Sequence, residues 1–576
     1  MAPARARTSW TWAAGWSLAA LCLLAAWFWN FPPAWMTNDD VGMQLQVQRD
    51  QNPDLLFSHV WLGRGLVACA KQWPEAPVYA IFQALVLAVA LGLVFALILR
   101  AQDHRHRLFA PLALVAWVAL CLGWLPKWQF TLTAGFAGLA ALAGMASPIA
   151  EGKTRLFRSP PFLIGLLLWF CALLLRAGMA RLMAGIGLAA LAPMALGMWM
   201  RQGNWRHAEV RPRLRLLWVF VALLAIERGV SRQGHGSAHT GFHAHRFRIA
   251  ETPFFERLPE AERQSRLAAA GWTETDWRLL DSFFFLDPTV FTPRALGLLA
   301  ADAPLPAESG TQAQRLLSFW KPLRVEMEFD PKAQTFLAWL IFSLAVSLAT
   351  PRHFARLAWS VVLALAAHVA LSYRYGALPD RVWLPLCAFA LLWPWTQPAG
   401  SALAFTPRAK RLAGMLLALI LACVVLPPQV RAVRGALHLS RRAEVLSRET
   451  RDLAGAWTRS GARVVVWGGF SWQALRPFDP LDKVRDFHPA MLGVTQQESA
   501  WPRLQAWTGD PAVWPALGKA DPIHWILPGG NMGAERAAWL GDFLQRRAGI
   551  SLVPREETPP EIPRSGARVL RWMEGP

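Results

Sequence analysis

Asn38, Asp39 and Asp40 place two neighbouring carboxylates directly after an apolar run, Trp10 to Phe31, that is long enough to cross a bilayer. Arg5 and Arg7 precede that run, and basic flanks stay cytoplasmic, so the acid pair is expected on the outer face of the membrane. Adjacent carboxylates in an irregular loop diverge and cannot flank one bond as a hydrolase pair does. They need different jobs. Against a donor that already carries a good leaving group, such as a lipid-linked phosphate, one carboxylate suffices as general base on an acceptor hydroxyl, worth roughly 10²- to 10⁴-fold. Its neighbour could hydrogen-bond the acceptor or position a divalent cation. Asp40, one residue further into the loop, is the first choice as base and Asp39 its partner. The alternative is structural: Asn38 and Asp39 end the first helix and cap the next, with side-chain oxygens on free backbone N–H groups.

Further along the same loop, Leu55 to Leu66 reads as an amphipathic helix lying at the membrane interface, from which His59 and Arg64 could face a lipid phosphate. Equally, Arg64 could snorkel to headgroups with His59 at the water boundary. At the mouth of a late span, the segment Tyr373 to Arg381 puts Arg374 and Arg381 on the same outer face, and guanidinium forks suit a phosphate leaving group. Topology anchoring is the alternative, but outward arginines run against the charge bias of the other loops. His235, His239, His243 and His245 have the spacing of metal ligands, yet Gly234, Gly236 and Gly241 oppose a helix there, so no metal site is assigned. Glu227 and Arg228 close a span as a local ion pair. Gly468-Gly469 and Gly529-Gly530 follow strand-like runs without the spacing of a nucleotide fingerprint, and are read as turns.

The elements that carry these residues are set by composition. The chain has 576 residues, 54% hydrophobic and 17% charged, with the apolar residues in long blocks, which describes a polytopic membrane protein. The formal charge of +21 falls largely in short loops and shows no aromatic-interleaved stripe, so no nucleic-acid partner is expected. Cys22, Cys69, Cys121, Cys171, Cys387 and Cys423 all lie in or beside apolar segments, which argues against disulfides and structural zinc.

Runs able to cross ~30 Å of hydrocarbon number about eleven. They cover 10 to 31, 78 to 99, 108 to 125, 129 to 149, 160 to 176, 180 to 200, 214 to 228, 333 to 350, 356 to 373, 381 to 396 and 410 to 427. With the N-terminus inside, the cytoplasmic loops hold Arg105 and Arg107, then Lys153, Arg155 and Arg158, then Arg201 to Arg215, then Arg352 and Arg356, then Arg408 to Arg411. Every one is basic, so the register is self-consistent. No A-x-A cleavage site follows the first run, which argues against a signal peptide. The fold class expected is therefore mainly α, polytopic and transmembrane, in four parts. Residues 1 to 228 form a membrane core with a first outer loop at 32 to 77, and 229 to 332 a large extracytoplasmic loop. Residues 333 to 427 form the late spans, and 428 to 576 a small extracytoplasmic α/β domain. In that tail, strands are expected at Arg463 to Trp467, Ile523 to Leu527, Ile550 to Val553 and Ala567 to Trp572, and helices at Arg431 to Ser460 and Ala534 to Arg547.

Four short motifs resemble a family of bacterial multi-spanning proteins found with surface-polysaccharide genes and similar to the GT-C superfamily of membrane glycosyltransferases. They are Asn38-Asp39-Asp40; Phe57 followed by Leu62-Gly63; Gly271-Trp272-Thr273-Glu274-Thr275-Asp276 leading to Phe285-Leu286-Asp287-Pro288; and Leu378-Pro379-x-Arg381. The resemblance touches most of residues 1 to 400. It implies an inverting GT-C-type transferase in the inner (plasma) membrane. Such an enzyme moves a sugar from a polyprenyl-phosphate donor to a glycan or lipid acceptor on the outer face, with a catalytic base in the first outer loop. That role carries over to Asp39 and Asp40. His59 departs from the pattern, where the relatives are expected to have Asn. A flippase or transporter for lipid-linked sugars would bury ionisable residues in mid-span; a polymerase or ligase would share both topology and substrate class.

Overall fold

A computed structural model describes residues 10–36, 38–55, 58–101, 109–150, 156–202, 210–231, 242, 245–246, 249, 255–282, 284–301, 331–348, 351–375, 380–397, 407–461, 463–467, 476–478, 490–491, 496–517, 523–527, 530–549, 552–557 and 568–574. They are mainly helical. The first half contains α1 (Trp10–Asn30), α2 (Asn38–Gln48), α3 (Val60–Gln72), α4 (Val78–Ala101), α5 (Phe109–Trp124), α6 (Phe130–Ala150), α7 (Pro160–Gln202) and α8 (Val210–Ser231). Two short strands, β1 (Ala34–Trp35) and β2 (Lys127–Trp128), pair in parallel between them. Three small helices follow: α9 (Glu260–Ala270), α10 (Glu274–Asp281) and α11 (Pro293–Leu299). Then come α12 (Pro331–Ser347), α13 (Pro351–Tyr375), α14 (Asp380–Leu392) and α15 (Pro407–Ile420). A five-residue π segment, Leu421–Val425, joins α15 to α16 (Leu426–Ser460).

Among the described residues, six helical stretches are long and apolar enough to cross a membrane. The innermost is α6. Its Ala- and Gly-rich sequence lets neighbouring backbones approach closely, which is how helices associate in lipid. A Cβ on Gly144 would meet the Pro161 carbonyl, and Gly165 lies against Ala141 and Met145, so the first part of α7 runs against α6. Gly138 meets Met183 and Gly187 meets Leu142, so the later part runs with α6. The chain therefore reverses within α7. The reversal falls at Arg176, which alone adopts an extended conformation (φ −157°, ψ 94°). The two spans read separately from the sequence on either side of that point form a hairpin with almost no loop.

The C-terminal part holds β3 (Arg463–Val466), β4 (Ala490–Met491), α17 (Gln496–Thr508), α18 (Val513–Leu517), β5 (Ile523–Leu527), α19 (Gly530–Ala548), β6 (Leu552–Glu557) and β7 (Arg568–Glu574). The strands form one sheet in the order β4-β3-β5-β7-β6, parallel through β4, β3 and β5 and antiparallel beyond. The loop segment α9 to α11 and this sheet segment, which the sequence separates, share one hydrophobic core. Phe284, Phe285 and Phe291 pack with Trp467, Trp514 and Phe543, and the Trp467 indole donates to the Ser282 carbonyl at 2.9 Å.

Two expectations change. The helix expected from Leu55 begins at Val60, because His59 is extended (ψ 141°) and caps it. Glu227 does not pair with its neighbour Arg228 as a local helix-end bridge; its buried carboxylate takes the Arg181 guanidinium of α7 at 2.8 Å, joining two helices.

Candidate functional site

The site begins with the β1–β2 clip. Ala34 N–H donates to the Pro126 carbonyl and Met36 N–H to that of Trp128, so the segments entering α2 and α6 run side by side. The first N–H groups of a helix have no intrahelical acceptor, and that end favours negative charge. Asp40, in the first turn of α2, satisfies this need for α6: its Oδ1 accepts the Phe130 N–H at 3.0 Å. The same oxygen accepts the Tyr79 hydroxyl at 3.1 Å and the Gln83 amide at 3.2 Å, both from α4. Gln83 in turn accepts the Thr133 hydroxyl at 2.8 Å. Asp40 is fully buried (0% exposed). Burial pushes its pKa up to about 7, against the hydrogen bonds from Gln83, Phe130 and Tyr79 and with the help of Asp39's charge.

Asp39, by contrast, is half-buried, one residue earlier on the same first turn. The pair thus divides by environment. Asp40, the first choice from the sequence, is the enclosed one, and Asp39 is the partly open one. Asp40 exerts a capping role, on a helix other than its own, while the Asn38 side chain lies outside the described residues. Asn38 opens α2.

His59 is buried (8% exposed), not turned to a headgroup. Its N–H donates to the Leu174 carbonyl and its Nδ1 accepts the Trp61 N–H at 3.2 Å, while the backbone of Val230 lies against the ring. Burial lowers its pKa below the usual imidazole value, against the Val230 backbone, which raises it. Beside it the Ser58 hydroxyl donates to the Leu175 carbonyl at 3.1 Å. The two carbonyls released by the turn in α7 are therefore held by the segment that leads into α3. Arg64 sits on the exposed side of α3, opposite the buried face of Leu62, Gly63, Leu66 and Val67, and is not brought to Asp40. Arg381 is half-buried at the start of α14, the helix whose Pro385 abuts Gly135 of α6. The Arg374 side chain, with His235, His239 and His243, lies outside the described residues. Among the described residues no group of three His, Cys, Asp or Glu gathers around a cation position.

One residue escaped the sequence reading. Arg176, at the turn of α7, lies with its guanidinium carbon 5.6 Å from the centre of the Phe130 ring, the residue whose N–H Asp40 receives. Its signal was present as an arginine at the end of an apolar run, with Gly178 two residues on, but nothing in the sequence marks that residue as the turn itself or as a neighbour of Phe130. Arg503 of α17 reaches Asp50, just beyond the end of α2, at 3.6 Å, and Phe478 packs edge-on against Trp128 at 5.4 Å. The C-terminal part thus packs against β2 and the segment that follows α2. No family model, curated protein or solved structure matches this chain.

Proposed function

We propose that this protein is a membrane glycosyltransferase that moves a sugar from a polyprenyl-phosphate donor to a glycan or lipid acceptor. Asp39 is the general base. The observation that carries this reading is the difference between neighbours: Asp40 is enclosed with three donors on one oxygen, while Asp39, beside it on the same first turn, is partly open. A base in reach of a bound hydroxyl needs such fixed placement. Arg176 and Arg381 supply guanidiniums for a phosphate leaving group, whose charge grows as the sugar departs.

The topology that goes with this reading has eleven passes, with α7 counted as two and the α15–α16 rod as one. It places the N-terminus in the cytoplasm of a bacterium and the acid pair, the loop helices and the sheet outside the inner membrane. The sheet segment, packed against β2 and the segment that follows α2, would then meet the acceptor. The test is sugar transfer by reconstituted protein from radiolabelled polyprenyl-phosphate donors. Loss of transfer in Asp39→Asn with retained folding supports the assignment. Undiminished transfer in that variant rejects Asp39 as the base, and movement of intact lipid-linked sugar across the bilayer without transfer favours a flippase.

A further inference from the structure

The rod formed by α15, the π segment and α16 changes character along one face. Leu412, Met415, Leu416, Leu419, Leu426 and Val430 are exposed, as expected for side chains that meet lipid tails. Beyond Val430 the exposed positions become Arg434, His438, Arg441 and Arg442, at helical spacings of three and four that keep them on the same side.

The height of this change is fixed by neighbouring helices. Gln429 and Ala432 lie against Gly123 in the last turn of α5, and Arg431 donates to Gln334 in the first turn of α12 at 2.9 Å. Two apolar helices therefore end level with residues 429 to 432. Trp29, Trp61 and Trp73 are exposed at that same end of the bundle, as an interfacial belt requires. At about 1.5 Å per residue, Arg434 stands ~3 Å and Arg442 ~15 Å past Ala432. The headgroup layer is roughly 5–8 Å deep, and arginine stems let the upper guanidiniums reach back to it. Among the described residues no carboxylate pairs with Arg434, Arg441 or Arg442; the nearby Glu444 pairs with Arg448 and Arg476.

We infer that the face of α16 from Arg434 to Arg442 is a docking surface for anionic phospholipid headgroups, which anchors the rod that carries the sheet segment. The charge is complementary, and the surface continues without a break from the lipid-facing side of the same rod. The inference needs only a bilayer and stands apart from the sugar-transfer reading.

The test is native mass spectrometry of the full-length protein released from nanodiscs of equal phosphatidylglycerol and phosphatidylcholine. Wild type is expected to retain phosphatidylglycerol at least fivefold over phosphatidylcholine. The triple variant Arg434→Gln, Arg441→Gln, Arg442→Gln should lose that preference, at about fivefold per arginine near the surface. Arg448→Gln with Arg459→Gln, further along the helix, should keep it, and melting in detergent should be unchanged in both. No preference in wild type, or a preference that survives in the triple variant, overturns the inference. So does a soluble acidic polysaccharide that binds wild type and not the triple variant while lipid retention stays equal.

Discussion

The Phe130 N–H donates to the Asp40 carboxylate at 3.0 Å across 90 positions of chain. This contact ties the start of the central helix to the first turn of α2, and it distinguishes two carboxylates that look equivalent in sequence. A buried acceptor with three donors on one oxygen is committed to structure. Its half-buried neighbour, Asp39, is the residue to which the proposal above gives proton transfer.

Substitution of the two acids is expected to separate rate from stability. Asp39→Asn should lower transfer at least about 100-fold with an unchanged melting temperature. Asp40→Ala should leave the Phe130 N–H, Tyr79 hydroxyl and Gln83 amide without their acceptor, and cost about 3 kcal/mol. Rates in proteoliposomes and thermal melting in detergent read the two effects. Equal melting losses in both variants would remove the distinction.

Stability should also depend on pH in a direction set by Asp40. Its folded pKa, about 7, lies above the unfolded value of 3.8. The folded state therefore holds the proton more tightly, and this contribution is fully present below about pH 4 and lost as pH rises through 7. Asp40→Asn, which keeps an acceptor oxygen but does not titrate, should flatten the slope between pH 4 and 7. Melting of wild type and variant across that range measures it, and an unchanged slope would place the titration elsewhere.

Hydropathy made six helices long and apolar enough to cross a membrane legible, because lipid demands long apolar runs, and the strands Arg463–Val466 and Ile523–Leu527 were legible as short, largely buried apolar runs. What stayed hidden depends on contacts distant in sequence. Asp40 meets Phe130, Glu227 meets Arg181, and Phe284 meets Trp467, and no local pattern announces such partners. The exposure of Asp39 and the burial of Asp40 follow from those contacts, so periodicity could find the pair but not rank it.

The motif Leu62-Gly63 should prove to be a packing requirement. A Cβ on Gly63 would collide with the Pro53 carbonyl oxygen, a backbone atom that has no easy retreat. Gly63→Ala is therefore expected to lower stability by about 1–3 kcal/mol and to loosen α3 from the loop that carries Asp50. Gly65→Ala, with nothing within 4 Å of its Cβ, should be neutral or slightly stabilising. Melting of the two variants side by side tests the contrast, and equal behaviour would contradict it.

The shared core of the loop and sheet segments makes them one cooperative unit. Trp514 in α18 donates its indole N–H to Asp287 at 2.7 Å, and Asp287, only 3% exposed, also accepts the Thr289 N–H and hydroxyl. Trp514→Phe keeps the ring but leaves that buried carboxylate one donor short, at a cost of about 1–3 kcal/mol. If the segments fold independently, hydrogen exchange should quicken only around α17 and α18. With Phe284 and Phe291 packed on the same aromatic cluster as Trp514 and Phe543, exchange is expected to quicken together in residues 284–300 and 500–517.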